Sequence, residues 1–157
     1  MPVRFWPRAL ESKNMKQKLI LVGAAVVYKK INGKPLWFIV KQKEDTSWEI
    51  PKTTVRRGES SVRAVIRMMG EQAAMSAKVR EEVGRAGGAV LLGGTTIPQR
   101  QIYYLMLCKE ANEVLGFTDC DWFDYSKAIK KLGSKKEASM LKSARDLLKE
   151  LDKKKKK

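Results

Sequence analysis

The apolar positions fall first into runs, then into a helical stripe, then into runs again. Residues 19–28 (LILVGAAVVY) are an almost unbroken apolar, β-branched run and predict a strand. Asn32-Gly33 followed by Lys34-Pro35 is a turn signal, and residues 36–41 (LWFIVK) predict a second strand, so the two make a hairpin. Residues 48–51 read as a short extended piece and residues 52–58 as a loop. Ser60 or Ser61 is placed to cap a helix running to about Ala74. Within it Val62, Val65, Ile66, Met69 and Ala73 follow the spacing of a core-facing stripe.

Beyond that helix the pattern returns to strands. Residues 77–83 are ambiguous between strand and loop. Residues 89–92 and 101–108 (QIYYLMLC) predict strands flanking a Gly-Gly-Thr-Thr-Ile-Pro loop. Residues 120–123 predict a short strand and residues 125–132 a short helix. The last helix is predicted over residues 136–151, with Met140, Leu141, Ala144, Leu147, Leu148 and Leu151 inward. Strands, an inserted helix, more strands and closing helices define an α+β layout, with a mixed or antiparallel sheet packed by helices.

Composition narrows the chemistry. A chain of 157 residues that is 43% hydrophobic suits one domain with short tails. Histidine is absent, which removes Ser-His-Asp and Cys-His triads and every His-ligated metal. Cys108 and Cys120 form no C-x-x-C, so a disulfide framework and structural zinc are poor readings and a reducing compartment is expected. The net charge of +16 draws the chain toward polyanions: nucleic acid, anionic membrane or phosphorylated small molecules.

That charge is unevenly spread. Lys153, Lys154, Lys155, Lys156 and Lys157 form a terminal run, expected to be disordered and to act as a solubilising tail or an electrostatic arm on nucleic-acid phosphates. Residues 1–16 add Arg4, Arg8, Lys13 and Lys16 against Glu11. The organisation expected is therefore a basic extension over 1–16, a domain over 17–151 and a lysine tail over 152–157. No run is long or apolar enough for a signal peptide or a membrane span, so a cytoplasmic or organellar-matrix protein is expected.

The order of elements and certain residues resemble the Nudix family over roughly residues 18–151. The apolar strand 22–28, the segment Trp48-Glu49-Ile50-Pro51-Lys52 followed by Gly58-Glu59-Ser60, and the stretch Asp121-Trp122-Phe123-Asp124-Tyr125 with Ala128 and Leu132 carry the likeness. It implies a Nudix-like α/β/α sandwich with a central mixed sheet. It also implies a helix whose carboxylates hold Mg²⁺ for hydrolysis of a nucleoside diphosphate linked to another group. Laid on the family's box, this chain has Thr53 for the first glycine, then Glu59, Arg67, Met68, Met69, Glu71, Gln72, Ala74 and Met75. Of three helix carboxylates only Glu71 remains. Residues at i, i+3 and i+4 share a helix face, and Mg²⁺ requires hard oxygen ligands there. Met68 offers a thioether and Gln72 a neutral amide. A second register through Arg80-Glu81-Glu82-Val83-Gly84 keeps an acidic pair but lies too far along the chain from Glu59.

Single residues keep two readings. Arg67 is an ion-pair partner of Glu71 on the helix surface, or, as the resemblance implies, the scaffold arginine that orients the carboxylates, and it is also a candidate phosphate-binding group. Glu59 is an acid favoured at a helix N-terminus, or a weak catalytic helper of Glu71. Lys52, Arg56 and Arg57 are solvated loop charges or phosphate-binding groups. Trp48 and Trp122 pack at the core's rim or stack on bases. Met68, Met69 and Met75 read as core and rim fillers. The function expected is a degraded Nudix module binding RNA, a ribonucleoprotein or a nucleotide without catalysis. The alternative is a weak hydrolase with Mg²⁺ on Glu71 and a second glutamate, from Glu59, Glu81, Glu82 or Glu110. A nucleotide sensor that keeps the pocket without the chemistry is a third.

Overall fold

The computed structural model describes residues 19–41, 47–111, 116–117 and 119–155. The first apolar run extends as β1 (Ile20–Ile31) and turns back into β2 (Lys34–Lys41). Asn32 and Gly33 take φ of 54° and 81°, as a two-residue hairpin turn of this hand requires. Tyr28 stands opposite Trp37 and Ile31 opposite Lys34. β3 (Lys52–Thr54) pairs with the first half of β1, so the loop expected over 52–58 begins as strand.

Helix α1 (Ser61–Ala73) starts at Ser60, whose Oγ accepts the Arg63 N–H at 3.1 Å, and ends at Ala74 with φ of 47°. The long strands β4 (Met75–Leu92) and β5 (Thr95–Ala111) follow. The ambiguous residues 77–83 are therefore strand. The expected Gly-Gly-Thr-Thr-Ile-Pro loop reduces to the turn Gly93-Gly94, because β5 already starts at Thr95. β6 (Asp119–Phe123), α2 (Tyr125–Lys131) and α3 (Lys135–Lys155) complete the chain. Asp124 caps α2 by accepting the Lys127 N–H at 2.9 Å. Helix α3 carries on through Asp152 to Lys155, past the point where a disordered tail was expected. The Lys30 ammonium holds Asp152 at 2.6 Å, and lysines suit the negative end of a helix dipole. Lys156 and Lys157, like residues 1–18, lie outside the described residues.

The sheet has six strands in the order β4-β5-β1-β2-β6, with β3 also beside β1. β1 and β5 run parallel and the other pairs antiparallel, so the sheet is mixed as expected. Alternate residues of β1 serve two cores: Ala25 and Val27 face α1, while Ala24, Val26 and Tyr28 face α2 and α3. Burial on both faces explains why this strand is a continuous apolar run. The fold is an α/β/α sandwich.

One expectation about α1 is corrected. The buried residues are Ala64, Val65, Met68, Met69 and Ala73, whereas Ile66 is 46% exposed and Val62 only half-buried. The helix is rotated toward Ala64 and Met68, so Met68 does not lie on an outer face. Gly23 of β1 permits the close approach: a Cβ there would lie 2.9 Å from Val65 Cγ1 and 3.1 Å from the Ser61 carbonyl oxygen. Tyr104 then meets Ser61, hydroxyl to hydroxyl, at 2.6 Å.

Candidate functional site

Two clusters of polar side chains flank the start of β1, one on each face of the sheet. On the α1 face, Glu59 accepts three hydrogen bonds. They come from Arg67 Nε at 2.8 Å, Arg67 Nη2 at 3.0 Å and the Arg56 backbone N–H at 3.0 Å. Arg67 Nη2 also reaches the Thr54 carbonyl at 3.3 Å. The arginine thus ties β3, the loop and the helix together. These bonds, the Arg67 bond first, hold the Glu59 carboxyl at about 2, well below the usual carboxylate range. Bonding to Glu59 likewise raises the Arg67 guanidinium.

Glu71 stands apart from that clamp. It is 57% exposed, and its Oε1 lies 3.9 Å from both Arg56 Nη2 and Arg67 Nη1. Met68 is fully buried among Ala25, Val27, Val65, Ile102, Tyr104 and Met106. Gln72 is half-buried, and its backbone carbonyl accepts the Gly116 N–H at 2.8 Å. The residues at the box positions therefore do not fit the Mg²⁺ that the resemblance implies. One carboxylate is shared between two guanidinium groups, and the thioether is soft and turned into the core. Among the described residues no group of three or more acidic or thiol side chains is gathered to hold a metal ion.

The second register fails on geometry. Arg80, Glu81 and Glu82 lie on β4, not on a helix. Arg80 Nη1 donates to the Tyr28 hydroxyl at 2.7 Å, Glu82 pairs with Arg85 at 2.9 Å, and Glu81 is exposed. Arg57 is an exposed loop residue, and Lys153 and Lys154 are exposed on the last turn of α3. Trp48 packs edge-on against Phe123 with ring centres 5.4 Å apart, and Trp122 packs against Phe38 at 5.0 Å. Cys108 and Cys120 are free and half-buried, and burial pushes both thiols up.

On the opposite face lies a cluster that the sequence reading misses. Glu137 of α3 is 4% exposed. It accepts the Ile50 N–H at 2.9 Å, the Lys52 ammonium at 2.6 Å and the Tyr103 hydroxyl at 2.9 Å. Tyr103 also lies 3.0 Å from Gln101 Oε1, and Gln101 Nε2 donates to Gln99 at 2.8 Å. Burial first, and then the Glu137 charge, push the Tyr103 phenol far up. Lys52 is therefore turned toward α3, away from the Arg56–Glu71 contact on the α1 side. Its ammonium also meets the Ile50 carbonyl at 3.0 Å and Glu49 at 3.5 Å.

This cluster floors a cavity of about 350 Å³ lined by Trp48, Lys52, Gln101, Ser134, Lys136 and Glu137, among others. A smaller cavity of about 170 Å³ shares Lys52 and Gln101 with it and adds Thr53, Thr54 and Gln99. One signal was available. Ser134-Lys135-Lys136-Glu137 has the S-x-x-E form of a capping box. Ser134 does accept the Glu137 N–H, at 3.4 Å, but the carboxylate turns inward to Lys52 and Tyr103.

No protein-family model matches this sequence, and no curated protein matches it. Solved structures are similar to it in fold. C. elegans Ap4A hydrolase superposes with a TM-score of 0.67 at 22% identity, over 83% of this chain and 99% of that one. The NUDIX domain of Shewanella oneidensis NrtR, solved with ADP ribose, gives 0.64 at 14% identity, over 88% and 98%. E. coli dihydroneopterin triphosphate pyrophosphohydrolase gives 0.57 at 12%, over 77% and 91%. The class follows from the sandwich and these likenesses together: this chain has the Nudix fold.

Proposed function

We propose that the chain is a Nudix-fold binding module for a nucleotide-type polyanion, RNA or a ribonucleoprotein foremost, with the metal-dependent hydrolytic step lost. The observation that carries this reading is the state of the box helix. Met68 is buried in the core, and the single remaining acid, Glu71, stands between Arg56 and Arg67. A surface of guanidinium groups there attracts phosphate, where a carboxylate cluster would attract a divalent cation.

Two further features support it. The cavity between Trp48 and Glu137 has the size of small-molecule sites, which begin at about 300 Å³, so a nucleotide is a fitting ligand for it. The chain's charge of +16 supplies the long-range attraction that phosphate backbones respond to. In this reading Arg56, Arg57 and Arg67 serve phosphates on the α1 side, Lys52 orders the cavity wall, and Lys153 to Lys157 extend the basic surface.

The test pairs two measurements on the full chain. Phosphate or pyrophosphate release from a panel of nucleoside diphosphate derivatives, with Mg²⁺ or Mn²⁺, is expected to stay at background. Binding of a single-stranded RNA is expected to be measurable at low salt and to weaken steeply as salt rises. Turnover that vanishes in Glu71→Gln would instead establish the hydrolase and overturn this reading.

A further inference from the structure

The β4–β5 hairpin runs past the end of the rest of the sheet. β1 begins at Ile20, opposite Gln99. Residues 89–92 and 95–98 therefore form a two-stranded ribbon with no third strand among the described residues. Cross-strand partners share a face. Val90 with Ile97 and Leu92 with Thr95 lie on one face, and Leu91 with Thr96 and Ala89 with Pro98 on the other. Both faces carry apolar side chains and both are open to solvent: Leu91 is 68% exposed and Leu92 49%.

A ribbon of two strands is marginal in water by itself, and an open edge of N–H and C=O groups templates another strand. Edges are commonly blunted with charge. The tip of this one is not: residues 86–99 (AGGAVLLGGTTIPQ) contain no charged side chain in a chain that is 32% charged.

We propose that this tip is the contact surface for a second copy of the chain, joined about a two-fold axis. The charge pattern selects the occupant. A polyanion finds no cation to pair with on these residues. Two copies of charge +16 repel wherever their lysines and arginines face each other. Beyond Gly87, whose carbonyl accepts the Lys136 ammonium at 3.3 Å, residues 89–98 offer an approach with no like charges opposed. Among the described residues, the outer edge of β4 has no strand paired to it. An edge strand meeting its own copy across a two-fold axis pairs antiparallel, and each residue supplies both halves of the contact, as an isologous interface requires. Leu91 and Leu92 gain cover in the same step. The inference is independent of the polyanion-binding reading.

Sedimentation velocity on the full chain over a concentration series, at low and at high salt, tests it. The expected result is a concentration-dependent dimer whose share grows with salt, because salt screens the repulsion between copies. Polyanion binding has the opposite salt dependence, so the two readings fail separately. Leu91→Lys combined with Leu92→Lys is expected to return the protein to monomer with an unchanged melting temperature, the positions being exposed. Leu91→Cys is expected to join two copies through a bifunctional maleimide under conditions where the parent, with half-buried Cys108 and Cys120, is not joined. A monomer at every concentration and salt, or a dimer that survives both lysines, overturns the proposal. So does flotation with uncharged phosphatidylcholine vesicles that depends on Leu91 and Leu92, which would make the tip a membrane contact instead.

Discussion

Arg67 grips Glu59 through two hydrogen bonds, Nε to Oε2 at 2.8 Å and Nη2 to Oε1 at 3.0 Å. Both side chains are only 15% exposed. The pair joins the turn before α1 to the helix one turn before Glu71. It ties the loop after β3 to α1, while Glu71 stands outside the clamp, 3.9 Å from Arg67 Nη1.

The acid dependence of the fold follows from that pair. Glu59 is held at about 2, below its ordinary value of 4.5. Its contribution is therefore complete above the ordinary carboxylate range and is lost as pH falls through that lower value. Glu59→Gln is expected to lower the melting temperature at neutral pH, with a deficit that shrinks as the pH is taken down toward 2. Thermal melts of both proteins across that range check it. A deficit that stays constant with pH would show that the charge of Glu59 is not what matters.

Restoring the box should not restore an enzyme. Met68 is fully buried in an apolar cluster, so Met68→Glu places a carboxylate there without a partner, at a cost of several kcal/mol. Combined with Gln72→Glu it is expected to lower the melting temperature and to leave phosphate release at background. Mg²⁺-dependent turnover in the double variant would mean that α1 turns far enough to present residue 68 to a metal.

The buried Glu137 makes its own prediction. Removing it leaves Lys52 and Tyr103 without their common partner. Glu137→Ala is expected to destabilise the fold by about 2 kcal/mol in chemical denaturation, less than a fully buried pair because Lys52 is half-buried. Glu137→Gln keeps an acceptor for the Ile50 N–H and should cost less. Equal losses for the two variants would show that the carboxylate charge is immaterial.

Salt dependence separates polyanion binding from other binding. For single-stranded RNA, each phosphate neutralised contributes about 0.7 to the slope of log affinity against log salt. Deleting Lys153 to Lys157 is therefore expected to reduce the magnitude of that slope by at most about 3.5. Fluorescence titrations at several salt concentrations measure it. A slope unchanged by the deletion would take the terminal lysines out of the interface and leave the body's arginines as the contact.

Much of the architecture was legible along the chain. Residues 19–28 had to be strand because they are apolar and β-branched, and Asn32-Gly33 had to be a turn because both positions need positive φ. Ser60 announced the helix. Met68 and Gln72 on either side of Glu71 are a sequence observation, and the resemblance is what makes them stand where acids are expected. The burial face of α1 was harder to read. Val62, Val65, Ile66, Met69 and Ala73 make a regular stripe, but Ala64 and Met68 make an equally apolar one beside it. The choice between them depends on what stands opposite. The hairpin was underestimated because residues 77–83 carry Lys78, Arg80, Glu81 and Glu82. On an edge strand Lys78 and Glu81 stand in solvent, Glu82 pairs with Arg85, and Arg80 reaches the Tyr28 hydroxyl.

The sequence by itself determined the alternation of strands and helices, the caps and turns, the excess of positive charge and the presence of Met68 and Gln72 beside Glu71. These are properties of single residues or of neighbours within a few positions, where periodicity and local hydrogen bonding act. The tertiary structure alone decided which apolar stripe of α1 is covered, turning Ala64 and Met68 inward and leaving Ile66 46% exposed, with Gly23 allowing the close approach to β1. It decided that Lys52 joins Glu137, 85 residues away. A buried carboxylate must find a cation wherever the fold brings one, here the half-buried Lys52 ammonium, and no local pattern along the chain records that distance.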